Sequence, residues 1–494
     1  MSERLSGILL HITSLPGKWG LGDFSPEAFH FIDWLEESGQ SLWQILPLTI
    51  PDSIGSPYAA LSACAMNPGF IDPEMLCRNG LLSKKELAYY KRRRRGGQGK
   101  NLRKDAVSAA YRNWLAERDK KEFDAFCAEK SYWLHDAALF MSIHQNYPGG
   151  RLSFPQELSF REPDAIREWE IRHADTIHRF KFEQYILSKH WHEIKSYAND
   201  KGIRIIGDIP IFISGDSADV WAHPELFKLD NHGYPTVWTG VPPDYFTKTG
   251  QLWAQPHYNW EAIKENKYKW WIERVRTVKT HADIIRMDHF RGFCAAYEIP
   301  ARSVTAEKGK WVEGPRERIF KELHENIPDL CIIAEDLGII TPDVDDLRRR
   351  LGYPGMKVLQ FAFSGDEANT YLPENYDRND RFVVYTGTHD NNTTRAWYET
   401  LSGPEKEMLA RYTSCGKQDI SNALTEMAFY SDAMWAVIPM QDILNLGEEA
   451  RMNCPGTLTN NWKWQLDHLD ISSEITDKLR ILTLESGRKR ENGK

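Results

Sequence analysis

The sequence predicts an α/β protein, a (β/α)8 TIM barrel carrying inserted, mainly helical subdomains on its active-site face. Three observations predict it. Eight short apolar, β-branched runs recur along the chain, each closing on polar or charged residues. Segments of helical periodicity lie between them. The length of 494 residues leaves room for one closed barrel with long loops. Regular alternation of strand and helix is the pattern of a parallel sheet, and eight strands close one.

In chain order the expected strands are 7–13 (GILLHIT), 42–48 (LWQILPL), 203–210 (IRIIGDIP), 283–289 (DIIRMDH), 330–336 (LCIIAED), 356–363 (MKVLQFAF), 382–390 (FVVYTGTHD) and 434–440 (MWAVIPM). Helical patterns such as AFHFIDWLEESGQ, KWWIERVRTVKTH and PDVDDLRRRLG fall between them. In the last of these Pro342 opens a helix and Gly352 closes it. The whole chain, 1–494, reads as a single catalytic barrel domain. The gap from the second strand to the third is far longer than a crossover needs, so 49–200 is expected to be an inserted subdomain. Shorter loop and helix insertions are expected at 211–282 and 391–433. The tail SGRKRENGK is polar and expected to fray.

Bulk properties narrow the partners. A net charge of −8 and a pI near 6.1 argue against nucleic acid or an anionic membrane surface. The basic run from Lys91 to Arg95 is the exception, read as a solvated surface segment. Seven scattered cysteines without CxxC spacing (Cys64, Cys77, Cys127, Cys294, Cys331, Cys415 and Cys454) read as reduced thiols. With no apolar run of roughly 18 residues, the expected compartment is the cytoplasm. GxSxG elbows, Walker loops, HExxH motifs and cysteine clusters are absent, so acyl transfer, phosphoryl transfer and a catalytic metal are unsupported, and no cofactor is expected.

Functional groups of such barrels collect at the C-terminal strand ends. Asp208, Asp288, Glu335 and Asp390 stand there. Arg286 and Asp288, two apart on one strand, share a face. A guanidinium favours the ionised carboxylate a nucleophile needs, which assigns that role to Asp288. Glu335 follows the apolar run CIIA, where desolvation would keep a proton available for a leaving oxygen. Asp390 and His389 could bind substrate hydroxyls. For each carboxylate a cap or salt bridge is the plainer alternative, and His289 with His389 and Asp390 could instead face a metal. His11, near the end of the first strand, carries the same ambiguity. The segment VWTGVPPDYFTKTGQLW places Trp238, Tyr245, Phe246 and Trp253 in a Pro/Gly-rich stretch, aromatic surfaces on which sugar C–H faces pack.

The motifs SGILLHITSLPG, WQILPL, SPYAALSACAMNP, GDIPIFIS, RMDHFRGF, IIAEDLG, TGTHDNNTT and ARMNCPGTLTNNWKW occur in this order along nearly the whole chain. Together they resemble the 4-α-glucanotransferase family, also called amylomaltase or disproportionating enzyme, a relative of the α-amylases. The resemblance implies retaining double displacement on α-1,4-glucans and maltooligosaccharides, with Asp288 as nucleophile, Glu335 as acid/base and Asp390 as transition-state stabiliser. It also implies that Asp208, Arg286 and His389 hold the reacting glucose, and that Ser56, Tyr58, Gln251, Trp253 and Asn461 line neighbouring sugar subsites. AQPHYNW departs from the family's usual Gly-Asn-Pro segment after Trp253. Hydrolysis of the α-amylase type is the alternative on the same three carboxylates. The loop 240–250 is expected to close over the glucan, with Tyr245 and Phe246 against a sugar face, and so to exclude water.

Overall fold

Eight parallel strands form one sheet: β1 (Leu5–Leu9), β2 (Leu42–Gln44), β3 (Arg204–Ile209), β4 (Ile284–Met287), β5 (Ile332–Ala334), β6 (Gly355–Val358), β7 (Phe382–Tyr385) and β8 (Trp435–Pro439). Their spatial order is β6-β7-β8-β1-β2-β3-β4-β5, the cyclic order of a (β/α)8 barrel. The computed structural model describes residues 3–94, 99–116, 119–243, 248–413 and 419–488. Every strand expected from the sequence is present, and all eight are shorter than expected. The regular ladders end before the terminal polar residues, so Asp288, Glu335 and Asp390 lie just past β4, β5 and β7 rather than on them.

Strand alternation sorts the core into two layers. Leu5, Leu9, Leu42, Ile206, Ile284, Ile333, Val358, Val383 and Val437 pack together inside the barrel. Ile8, Trp43 and Ile205 point outward into the layer shared with the helices Pro26–Glu37 and Ala174–Asp200. Residues two further along the inward face, Asp208 after Ile206 and Arg286 after Ile284, therefore enter the mouth. The helix Pro342–Leu351 starts on its proline and ends at Gly352 with φ 71°, as the sequence pattern required.

The crossovers differ in kind. Residues between β2 and β3 build a mainly helical insert that returns through the 27-residue helix Ala174–Asp200. The β6 to β7 crossover contains short 3-10 turns, Leu359–Phe361 and Pro373–Asn375, in place of a helix. A second, antiparallel sheet was not expected. Its strands run in the order Gln251–Pro256, Val237–Val241, Ala295–Pro300, Lys310–Glu313, supplied by the β3–β4 and β4–β5 connections. The segment 211–282, read as loops and helices, thus also contributes two strands. Among the described residues no helix is long and apolar enough to cross a membrane. Lys91 to Arg94 end the helix Lys84–Arg94, where Lys91 pairs with Glu74 at 3.0 Å and Arg94 lies over Trp19; Arg95 is outside the described residues.

Candidate active site

The mouth is organised by one buried cation. A single guanidinium nitrogen of Arg286 reaches both oxygens of Asp208, at 2.9 and 2.7 Å, and Asp288 at 3.0 Å. Tyr58, from the loop after β2, donates its hydroxyl to Asp208 at 2.7 Å. Its ring stacks on His389 with centroids 5.0 Å apart, and Trp462 tilts against both rings. The floor is therefore a charged network under an aromatic wall.

Among the described residues no cation lies within ion-pair distance of Glu335. Its two oxygens accept the N–H of His289 at 2.6 Å and that of Leu337 at 2.9 Å. Backbone bonds from Glu335 N to Met287 O and from Phe290 N to Glu335 O, both 3.0 Å, lock this strand end to the chain carrying Asp288. Asp390 accepts from the Asn453 amide at 2.6 Å and lies 3.4 Å from His389 Nε2. Arg451 donates to the Asp390 carbonyl at 3.1 Å. Asn453, Arg451 and Trp462 were missed by sequence reasoning, although all three lie within the motif ARMNCPGTLTNNWKW.

Arg286 thus pairs with Asp208 and Asp288, and its charge also reaches Glu335. Burial, followed by the neighbouring carboxylates, pushes the Asp288 carboxyl well above its usual range, and Arg286 works against the shift. Burial likewise raises Glu335, again opposed by Arg286. Arg286 favours the ionised Asp288, as expected, but burial outweighs it, and the guanidinium is shared with Asp208.

Burial favours the neutral form of the histidines in the mouth. Burial lowers His389 and drives His11 and His289 down to about 3. His11 Nδ1 accepts the Leu46 N–H at 3.2 Å, a structural role, and His289 meets Trp253 edge-on at 4.9 Å. Among the described residues no group of three or more His, Cys, Asp or Glu is arranged to hold a metal ion.

The remaining expected residues fall at different depths. Trp253 and Gln251 sit on the same strand, the indole donating to the Gln251 side chain at 3.2 Å. Ser56 lies near Tyr58 and its hydroxyl accepts the Tyr58 N–H at 3.3 Å. The Asn461 amide is engaged inside its own loop, accepting from Cys454 N at 2.9 Å and donating to Thr457. Tyr245 and Phe246 lie outside the described residues.

A family model described as 4-alpha-glucanotransferase matches residues 10–470. The chain is 42% identical over 491 residues to the 4-alpha-glucanotransferase of Thermus thermophilus, covering 97% of this chain and 98% of that one. It is 40% identical over 500 residues to the 4-alpha-glucanotransferase of Synechocystis sp., covering 99% of each. Among solved structures it resembles the amylomaltase from Streptococcus agalactiae in complex with acarbose, with a TM-score of 0.93, 35% identity, and coverage of 99% of this chain and 100% of that chain.

Proposed function

The chain belongs to the 4-alpha-glucanotransferase family, and from that premise we propose how its barrel mouth moves α-1,4-glucan segments between maltooligosaccharides. Asp288 attacks the anomeric carbon and forms a glycosyl ester, while Glu335 gives its proton to the departing glycosidic oxygen. A 4-hydroxyl of the acceptor chain then loses its proton to Glu335 and takes the glycosyl group from Asp288. Two inversions leave the α configuration unchanged. One observation supports the assignment: Asp288 lies 3.0 Å from Arg286, whereas among the described residues no cation is within ion-pair distance of Glu335. A guanidinium in contact favours the anion, so Asp288 suits the nucleophile and Glu335 the acid.

The neighbours supply binding. Asp208, fixed by Arg286 and Tyr58, and Asp390, fixed by Asn453, accept hydroxyls of the reacting glucose, and His389 completes that ring of contacts. Tyr58, Trp253, Ser56 and Gln251 line adjoining subsites, and Asn461 shapes its loop beside them. Tyr245 and Phe246 are assigned to the closing loop. Acarbose in the Streptococcus agalactiae relative supports a sugar ligand for the same cleft. The six described cysteines are free, which supports a reducing compartment, the cytoplasm.

Pure maltotriose tests the reading. Transfer yields longer oligomers together with glucose; a product set containing only shorter sugars would assign the chain to hydrolysis.

A further inference from the structure

The segment after Glu335 has little to hold it. Gly338 sits at φ +85° with nothing near the place where a side chain would begin, and Ile339 is 62% exposed. Among the described residues the hydrogen bond that fixes Ile339 comes from Arg291, whose guanidinium donates to the Ile339 carbonyl. Arg291 follows His289 by two residues, and Ile339 follows Leu337 by two. His289 and Leu337 are the residues whose N–H groups hold the Glu335 carboxyl. The two chain segments are thus tied twice, at Glu335 itself and about 7 Å further on.

Arg291 is an unusual tie. It is 8% exposed, no carboxylate lies within ion-pair distance among the described residues, and its Nε is buried without a partner. Burying a guanidinium without a counter-ion is costly. Here the charge rests on the face of Trp311, 3.9 Å from the ring centroid, and on the Ile339 carbonyl. Trp311 is in turn held against Tyr297 on the edge of the antiparallel sheet, with ring centroids 5.2 Å apart. That sheet, whose strands leave the barrel beside β4, thereby reaches the acid/base loop.

We propose that Arg291, clamped by Trp311, is a positioning residue for the acid/base Glu335, holding the 335–339 segment so that the carboxyl meets the leaving oxygen. The inference rests on Glu335 being the acid/base. A misplaced acid should harm departure of a sugar, which needs a proton, more than departure of fluoride, which does not. First-turnover rates on maltotriose and on α-maltosyl fluoride separate the two.

Arg291→Met is expected to slow the first turnover of maltotriose about tenfold to a hundredfold while fluoride release stays within about threefold, because small displacements of a catalytic group have effects of that size. Trp311→Ala should show the same split, smaller, and it decides the matter by the same criterion if Arg291→Met does not fold. Equal losses on both donors, or no loss on either, overturn the proposal. Glu335→Gln is the control. If it lacks the split, the acid/base assignment fails and the inference falls with it; if it shows the split and Arg291→Met does not, the inference alone falls.

Discussion

Glu335 and Asp336 are neighbours at the end of one strand, yet they face two opposite electrostatic settings. Glu335 enters the mouth, where Arg286 pairs with Asp208 and Asp288 and two backbone N–H groups hold the Glu335 carboxyl. Asp336 turns away to Arg348, which is 1% exposed and pairs with three carboxylates: 3.1 Å from Asp336, 2.6 Å from Asp345 and 2.9 Å from Asp380, with a further bond to the Tyr353 carbonyl. Arg349 adds a second cation there, 2.8 Å from Asp345 and from Asp377. Behind the strand two guanidinium groups answer four carboxylates; Asp380 is held below its usual range there, while burial still raises Asp336. In the mouth one guanidinium answers Asp208 and Asp288, and burial raises both Asp288 and Glu335. Burial acts on both faces of this strand end; what differs is the partner, an ion pair at 3.1 Å for Asp336 and two backbone N–H groups for Glu335.

The sharpest way to break the comparison is to neutralise each side. Asp288→Asn and Glu335→Gln should each lower transfer by at least about a thousandfold, the scale of a lost acid/base or nucleophile. Each should leave the melting temperature unchanged or raised at neutral pH. Both carboxyls titrate above their usual range when folded, so their ionisation opposes folding as pH rises, and a neutral amide removes that penalty. Activity within tenfold of the parent would remove either residue from the mechanism.

On the other side, Arg348→Met should cost about 3–5 kcal/mol of unfolding free energy by denaturant titration, since it strands buried carboxylates. The enzyme that remains folded should keep most of its turnover. A large loss of turnover without loss of stability would show that the two clusters are not separate.

Acid should divide them next. Burial works against ionisation of Asp380, but the Arg348 contacts outweigh it and hold the carboxyl below its usual range. Its stabilisation is therefore complete above about pH 4, near the unfolded value, and is lost as pH falls through the folded one. The stability gap between the parent and Asp380→Asn should be open at pH 6 and close toward pH 3; a gap that persists unchanged would contradict the pairing. The smallest expected effect is from chelation: EDTA should leave transfer unaltered, and loss restored by one particular metal ion would overturn the carboxylate-only chemistry.

Sequence alone carried the barrel because each strand is an apolar run that stops at a polar residue, and carried Asp288, Glu335 and Asp390 because those stops mark the mouth. The antiparallel sheet was not legible. Val237–Val241 and Gln251–Pro256 are half-exposed and broken by Gly240 and Pro256, and the former pairs with Ala295–Pro300 far along the chain. The Arg286–Asp288 pair follows from spacing by two, whereas Tyr58 reaches Asp208 across 150 residues of sequence, which no local pattern encodes. The upward shift of Asp288 was not legible for the same reason: burial outweighs Arg286, and the competitor for Arg286 comes from a different strand.

Ladders seal the barrel wall at seven of its joints, from β6 round to β5. At the remaining one, β5 meets β6 through the bond from Ala334 N–H to the Pro354 carbonyl at 2.9 Å. Proline has no N–H to return; the return bond comes instead from the Met356 N–H to the Asp336 carboxylate at 2.7 Å. The strand that carries the proton donor is thus laddered along β4 and joined to β6 partly through a side chain. The barrel closes through Asp336, the carboxylate that Arg348 holds, so the rear cluster also fastens the last joint of the wall, while the nucleophile's strand is laddered on both of its edges.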